Sequence, residues 1–151
     1  MEMRVFGRTG LRLSVLGFGC GAVGGLMVRG DPLDQERTIA RAMAAGVNYF
    51  DTAVQYGNGE SEKNLGRVLH KLKPSDTVIG TKVRLPSASF GRIADAVATS
   101  LEESLTRLRP RSGRHLPFAQ CDHRDWWRRN TQRPTGARWN RADIRAAAPA
   151  G

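Results

Sequence analysis

Long apolar runs are missing from these 151 residues: none approaches the roughly 18 that would cross a bilayer, so no membrane span is expected. Cysteine is nearly missing too. Cys20 and Cys121 are the only two and lie far apart, which excludes a disulfide framework and fits a reducing cytoplasm. The opening Met1-Glu2-Met3-Arg4 leads into alternating strand sequence, not into the basic-then-apolar pattern of a signal peptide. Lysine and glutamate are absent from residues 111–151, which instead hold nine Arg, three Asp and all three Trp. Residues 1–110 carry 15 Lys+Arg against 11 Asp+Glu, so the formal charge of +10 divides into +4 and +6. A charge of +10 normally points to nucleic acid or an anionic surface. Here it is concentrated in the last segment, and the chain reads as two parts, 1–110 and 111–151, with different compositions.

The first part has ordered periodicity. Met3–Phe6 and Leu11–Ser14 flank Gly7-Arg8-Thr9-Gly10, a hairpin whose glycines supply the positive φ of a tight turn. Such a hairpin could plug the bottom of a barrel. Val15–Phe18 reads as a core strand and Val47–Ala53 as a second, rich in Val, Tyr and Phe. Between them Asp34–Ala45 is a helix with Ile39, Ala40, Met43 and Ala44 on its apolar stripe, Asp31 or Asp34 as cap and Gly46 as stop. A second helix spans Ser61–Leu72 on Leu65, Val68, Leu69 and Leu72. A third strand covers Thr77–Val83, and a third helix Phe90–Leu108. Strand and helix alternate through short loops, which predicts an α/β fold with a parallel sheet.

Gly19-Cys20-Gly21-Ala22-Val23-Gly24 spells G-x-G-x-x-G, yet the dinucleotide fingerprint needs a helix after it and an acid about 20 residues on. The continuation Gly25-Leu26-Met27-Val28-Arg29-Gly30-Asp31-Pro32 is a poor helix, and Asp51 lies 27 residues past Gly24. The better reading is a glycine-rich loop that lets a ligand approach the backbone.

The chemistry centres on Asp51, which ends a strand, and Tyr56, which sits in the polar turn before Gly57-Asn58-Gly59. Reducing a carbonyl by hydride transfer places negative charge on its oxygen, so an acid must deliver a proton there. A phenol at its ordinary pKa of about 10 is a weak acid. A neighbouring ammonium favours the phenolate and brings the donor toward its working range. A carboxylate is then needed to hold the ammonium. Tyr56, Lys82 and Asp51 are the types required, at the ends of neighbouring strands. Asp51-Thr52-Ala53-x-x-Tyr56-Gly57-Asn58-x-Glu60, with Leu16-Gly17-Phe18-Gly19, Gly80-Thr81-Lys82 and Ser100-Leu101-Glu102-Glu103-Ser104-Leu105, resembles the aldo-keto reductase family over about residues 3–109.

That resemblance implies a (β/α)8 TIM barrel, here incomplete: the hairpin and about three βα units. It also implies NADPH as cofactor, a small-molecule carbonyl substrate, and catalytic roles for Tyr56 (proton donor), Lys82 (its tuner) and Asp51 (partner of Lys82). Gly19, Cys20, Gly21, Ala22 and Asp51 would face the cofactor. Asn58 and Glu60 read as turn and supporting residues, and His70, on a Lys-rich helix, as solvent-facing. The family further places a carbonyl-polarising histidine on its fourth strand, which should follow Leu108 within a few residues. No such strand is expected from the sequence, which would leave Thr77–Val83 as an open edge prone to aggregation.

Shifting the frame changes that. The last two bases of each codon joined to the first of the next allow Asp-Ile-Phe-His-Leu-His-Asn across residues 114–121, a string that looks like the missing strand with its histidine. Trp126-Trp127-Arg128 forces Gly-Gly in the same way. Residues 111–151 are therefore expected to be an out-of-frame basic tail without order, and the 151-residue chain to lack reductase activity and tight NADPH binding. The alternative makes the tail an Arg/Trp arm that stacks on nucleic acid bases. It leaves the recovered strand as coincidence and lacks the lysines that such arms mix in.

Overall fold

The computed structural model describes residues 1–84, 92–109 and 117–122. Among the described residues, two sheets carry the fold. β1 (Met3–Val5) pairs antiparallel with β2 (Arg12–Ser14) as the expected hairpin. A four-stranded parallel sheet then runs in the order β3 (Phe18–Gly19), β4 (Tyr49–Asp51), β5 (Val78–Arg84) and β6 (Pro117–Asp122). α1 (Leu26–Arg29) and α2 (Pro32–Ala44) lie between β3 and β4, α3 (Glu60–Leu72) between β4 and β5, and α4 (Ile93–Leu108) between β5 and β6. The order is that of a partial, unclosed parallel barrel.

The helices form where the sequence supplies both a start and a buried stripe. Asp31 caps α2 by accepting from the backbone N–H of Leu33 at 2.8 Å, and Pro32 occupies the first turn, where its missing N–H costs nothing. Gly46, at φ 90°, ends it. The buried faces of α2 and α3 meet the sheet through Ile39, Leu65, Val68 and Leu69, which join Phe50, Ile79, Met27 and Leu108 in one core. Phe50 and Ile79 are register partners on β4 and β5, so the helix-facing side of the sheet is apolar where the two strands meet. The strands alternate as the pleat requires, with Tyr49, Asp51, Gly80 and Lys82 on the opposite face.

Polar side chains hold the layers in place. Asn48 fastens the hairpin to the sheet: its side chain accepts from Ser14 N at 2.8 Å and donates to the Arg12 carbonyl at 2.9 Å. Glu62 is fully buried, accepting from Thr81 Oγ1 of β5 at 2.6 Å and from Arg107 Nε of α4 at 2.5 Å. Sheet, α3 and α4 are thereby tied at one carboxylate. Gln35 of α2 donates to the carbonyls of Leu26 and Gly30 and accepts from Arg67 of α3, closing the region around α1.

Three expectations need correcting. The stretch after Gly24 does make a helix, the single turn α1, because Gly25 adopts φ 71° to start it and Gly30 stops it. The core strand expected at Val15–Phe18 pairs only over Phe18–Gly19. Most important, β5 is not an open edge: β6 pairs with it from Ile79↔Pro117 to Arg84↔Asp122. The order expected to be absent throughout 111–151 is therefore present over 117–122. Pro117 fits because it is the first residue of the strand, a position that tolerates proline. The start expected for α4 at Phe90 lies outside the described residues.

Gly66 of α3 faces the end of α4, where a Cβ would press on the carbonyl of Leu108 and come within 2.7 Å of its carbon and 2.8 Å of its Cα. Helix propensity favours Ala over Gly by about 1 kcal/mol. Backbone cannot swing aside, and overpacking costs roughly 1–3 kcal/mol. Gly66→Ala is therefore expected to destabilise the chain in urea unfolding, and a gain in stability would contradict this packing.

Candidate active site

Asp51 is the last residue of β4, and its register partner on β5 is Gly80. Lys82, two residues further along β5, shares the face of Gly80 and reaches back across the strand boundary. Its Nζ donates to Asp51 Oδ1 at 2.5 Å and to the Thr52 carbonyl at 3.0 Å. The same Nζ lies over the Tyr56 ring, 5.0 Å from the centroid. The three residues singled out in the sequence thus meet at one end of the sheet, where chemistry collects in parallel barrels.

Tyr56 is placed by the turn that follows β4. Its N–H donates to the Ala53 carbonyl at 3.1 Å, and its carbonyl accepts from Ser61 N at 3.2 Å, anchoring the turn to α3. Gly57 has φ 65° and Asn58 φ 54°, so the turn needs left-handed backbone at both positions. Ser61 is fully buried; its hydroxyl donates to the Cys20 carbonyl at 2.9 Å and lies 2.9 Å from Thr52 Oγ1. Cys20 N donates to the Asp51 carbonyl at 2.7 Å, so the strand ends of β3 and β4 are locked together beneath the site.

The electrostatics follow from the geometry. Burial pulls the Lys82 ammonium down, but its bonds to Asp51 and Tyr56 and the Asp51 charge outweigh that, and its pKa is raised above 10.5. Lys82 is therefore a fixed cation at neutral pH. Burial, then the Asp51 charge, pushes the Cys20 thiol up from 9.0 to about 12 despite the opposing Lys82 charge. Tyr49, on the same face as Asp51, is raised above 10.0 by burial first, then by the Asp51 charge and a hydrogen bond to it, against the pull of Lys82.

The glycine loop is open. A Cβ added at Gly19, Gly21 or Gly24 would meet nothing within 4 Å. Gly19, Cys20, Gly21, Val23 and Gly24 line a cavity of about 290 Å³ together with Phe18, Leu26 and Met27. Cys20 itself is 1% exposed and packs in the core, so what it offers a ligand is backbone, not thiol. His70 is exposed, as expected. Glu60 pairs with exposed Lys63 at 2.7 Å and does not support the site, while Asn58 is a turn residue as read. The carboxylate that the sequence reading missed is Glu62. It stands three residues before Leu65 and seven before Leu69, so a charged residue on an apolar stripe was the available signal. Among the described residues, no cluster of His, Cys, Asp or Glu could hold a metal ion, and no helix is long and apolar enough to cross a membrane.

Residues 15–112 match the aldo/keto reductase family. An L-galactose dehydrogenase of Arabidopsis thaliana is 37% identical over 110 residues, covering 72% of this chain and 34% of the relative. An aldo-keto reductase of Bacillus subtilis, YhdN, is 34% identical over 116 residues, covering 70% and 35%. Among solved structures, a glycerol dehydrogenase of Gluconobacter oxydans has a TM-score of 0.57 at 32% identity, covering 79% of this chain and 38% of that one. An aldo-keto reductase of Bacillus halodurans has a TM-score of 0.58 at 28% identity, covering 80% and 40%. The chain spans about a third of the length of these curated relatives.

All three shifted groups have folded values above their ordinary ones, so each holds its proton more tightly folded than unfolded. Their contribution to stability is complete below the ordinary value and disappears as pH rises. For Cys20 that window runs from pH 9.0 to about 12; for Tyr49 and Lys82 it opens at 10.0 and 10.5. Urea unfolding is expected to show stability falling as pH rises past 9, with Cys20→Ala removing the earliest part of the fall. A profile flat from pH 8 to 10.5 would contradict these environments.

Proposed function

The chain belongs to the aldo/keto reductase family, and from that premise we propose that Asp51, Tyr56 and Lys82 form the proton-donating group of an NADPH-dependent carbonyl reductase. The observation that carries this is the position of Lys82 Nζ, on Asp51 Oδ1 and over the Tyr56 ring at once. Tyr56 delivers its proton to the carbonyl oxygen as negative charge develops there, and takes it back when an alcohol is oxidised. Lys82, held cationic, stabilises the phenolate left behind. Asp51 keeps the ammonium from swinging into solvent and compensates its charge. The substrate class is a small-molecule carbonyl or alcohol, met in a reducing, cytoplasmic compartment.

The residues present fit one end of the cofactor. Gly19 and Gly21 leave backbone open where a side chain would stand, and the cavity beside them is near the lower limit for a ligand pocket. Gly19, Cys20, Gly21 and Ala22 would hold that end through their backbone, with Asp51 beside it. When bound there, NADPH supplies the hydride. Contacts to its far end fall to later parts of the family's barrel.

Residues 111–151 we read as translated out of frame, which leaves residues 1–110 as the reductase portion. One register position supports this. Gln120 pairs with Lys82, and the Ala119–Gln120 codon junction is where the shifted frame allows the second histidine. A histidine restored there would stand in the sheet beside Lys82, next to the proton donor. The chain as written has no group of that kind in the string Pro117–Asp122.

NADPH oxidation with a panel of aldehydes, followed by absorbance, separates the two claims. The 151-residue chain is expected to show no turnover, and the protein expressed with the frame restored at about codon 110 to show it. In the restored protein Tyr56→Phe and Lys82→Met should each lower kcat by roughly 10²–10⁴-fold. Turnover by the 151-residue chain sinks the frame claim. Full activity in Tyr56→Phe sinks the site.

A further inference from the structure

Chain-facing glycines around the site have a common cause that the three catalytic candidates do not explain. A Cβ at Gly17 would lie 2.7 Å from Cδ1 of Tyr49, and one at Gly80 would press on the Tyr49 hydroxyl and come within 3.1 Å of Cζ. The Tyr49 ring therefore lies flat across the sheet, its body over the approach to β3 and its hydroxyl over β5. Gly80 is the register partner of Asp51, and Tyr49 precedes Asp51 by two residues on the same face. The hydroxyl thus lies over the residue that stands opposite Asp51 in the register, on the face of the carboxylate whose Oδ1 is already engaged by Lys82.

We propose that Tyr49 is a positioning residue for the reaction: its phenol donates to Asp51 and fixes the carboxylate rotamer that presents Oδ1 to Lys82. The inference rests on the reading of Asp51, Lys82 and Tyr56 given above and extends it by one residue. A carboxylate with a third of its side chain exposed would otherwise turn about its last torsion, which is soft for Asp. A neutral donor suits the task better than a second cation, because it restrains the carboxylate without cancelling the charge that holds Lys82. The raised pKa of Tyr49 agrees with a phenol kept protonated beside an anion. Gly17 and Gly80 then have a reason to be glycine: any side chain at either would lift the ring off the sheet and take the hydroxyl with it.

The chain has only two tyrosines, which makes the claim readable without turnover. In Tyr56→Phe the remaining phenol is Tyr49, and the ultraviolet resonance Raman bands of its ring report whether the hydroxyl donates. At neutral pH the full 151-residue chain carrying Tyr56→Phe is expected to show the signature of a strong donor. Adding Asp51→Asn should shift the bands toward a weaker donor, and adding Gly80→Ala should shift them the same way. Lys82→Met, which leaves Asp51 in place and removes its other partner, should shift them toward a stronger donor. Bands unmoved by both Asp51→Asn and Lys82→Met would overturn the proposal and leave Tyr49 a packing residue. Because the readout is independent of NADPH and carbonyl, its failure leaves the reductase reading standing. Failure of the reductase assay leaves the Tyr49–Asp51 bond to be judged by these spectra.

Discussion

The parallel register of β4 on β5 is the constraint on which the site depends. It sets Asp51 opposite Gly80 and so puts Lys82 one pleat further along the same face, close enough to reach back. A slip of one residue would turn Lys82 to the helix side and Thr81 to the site. It would also turn Ile79, a core residue of the same strand, off the apolar layer and away from Phe50. Burial of the helix-facing side therefore fixes the geometry on the other side. The site inherits its precision from the hydrophobic core on the other side of the sheet.

A second layer of polar bonds keeps the strand ends from drifting. Ser61 of α3 bridges the Cys20 carbonyl and Thr52 Oγ1, and Glu62, its neighbour, takes Thr81 and Arg107. Two successive residues at the start of one helix thus tie β3, β4, β5 and α4. Removing Glu62 would leave Arg107, which is mostly buried, without its main partner, and breaking a buried pair in this way costs about 3–5 kcal/mol. The turn bearing Tyr56 is anchored to the same helix start through Ser61 N. Tyr56 and the scaffold that positions it are therefore mechanically one unit.

Much of this was legible in the sequence, for identifiable reasons. The apolar stripes of α2 and α3 repeat at helical spacing, and Asp31, Pro32 and Gly46 bound the first of them by chemistry that depends on nearby residues alone. Asp51, Tyr56 and Lys82 could be assembled because the motifs around them resemble those of the family and the reaction asks for those types at strand ends. Glu62 could not be assigned, since its partners lie 19 and 45 residues away. Tyr49 read only as a strand former, because which face it shares, and with whom, is set by register. α1 escaped notice because its glycines, which count against a helix, instead mark the two ends of a single turn. β6 escaped for a different reason: Pro117–Asp122 has no usable period, and its place in the sheet comes from the unpaired edge of β5 that it covers.

That edge joins the chemistry to the reading frame. The sheet position beside Lys82 is occupied by Gln120, in a segment whose composition differs from everything before residue 111. We propose that residues 1–110 begin a reductase and that the frame is lost near Pro110–Arg111. Sequencing the gene from the codon of Leu108 to well beyond that of Gly151 tests this most directly. The account predicts that the shifted frame stays open, encodes Asp-Ile-Phe-His-Leu-His-Asn at its start, and continues into further alternating strands and helices. Stop codons early in the shifted frame, or a different string at that place, would contradict it.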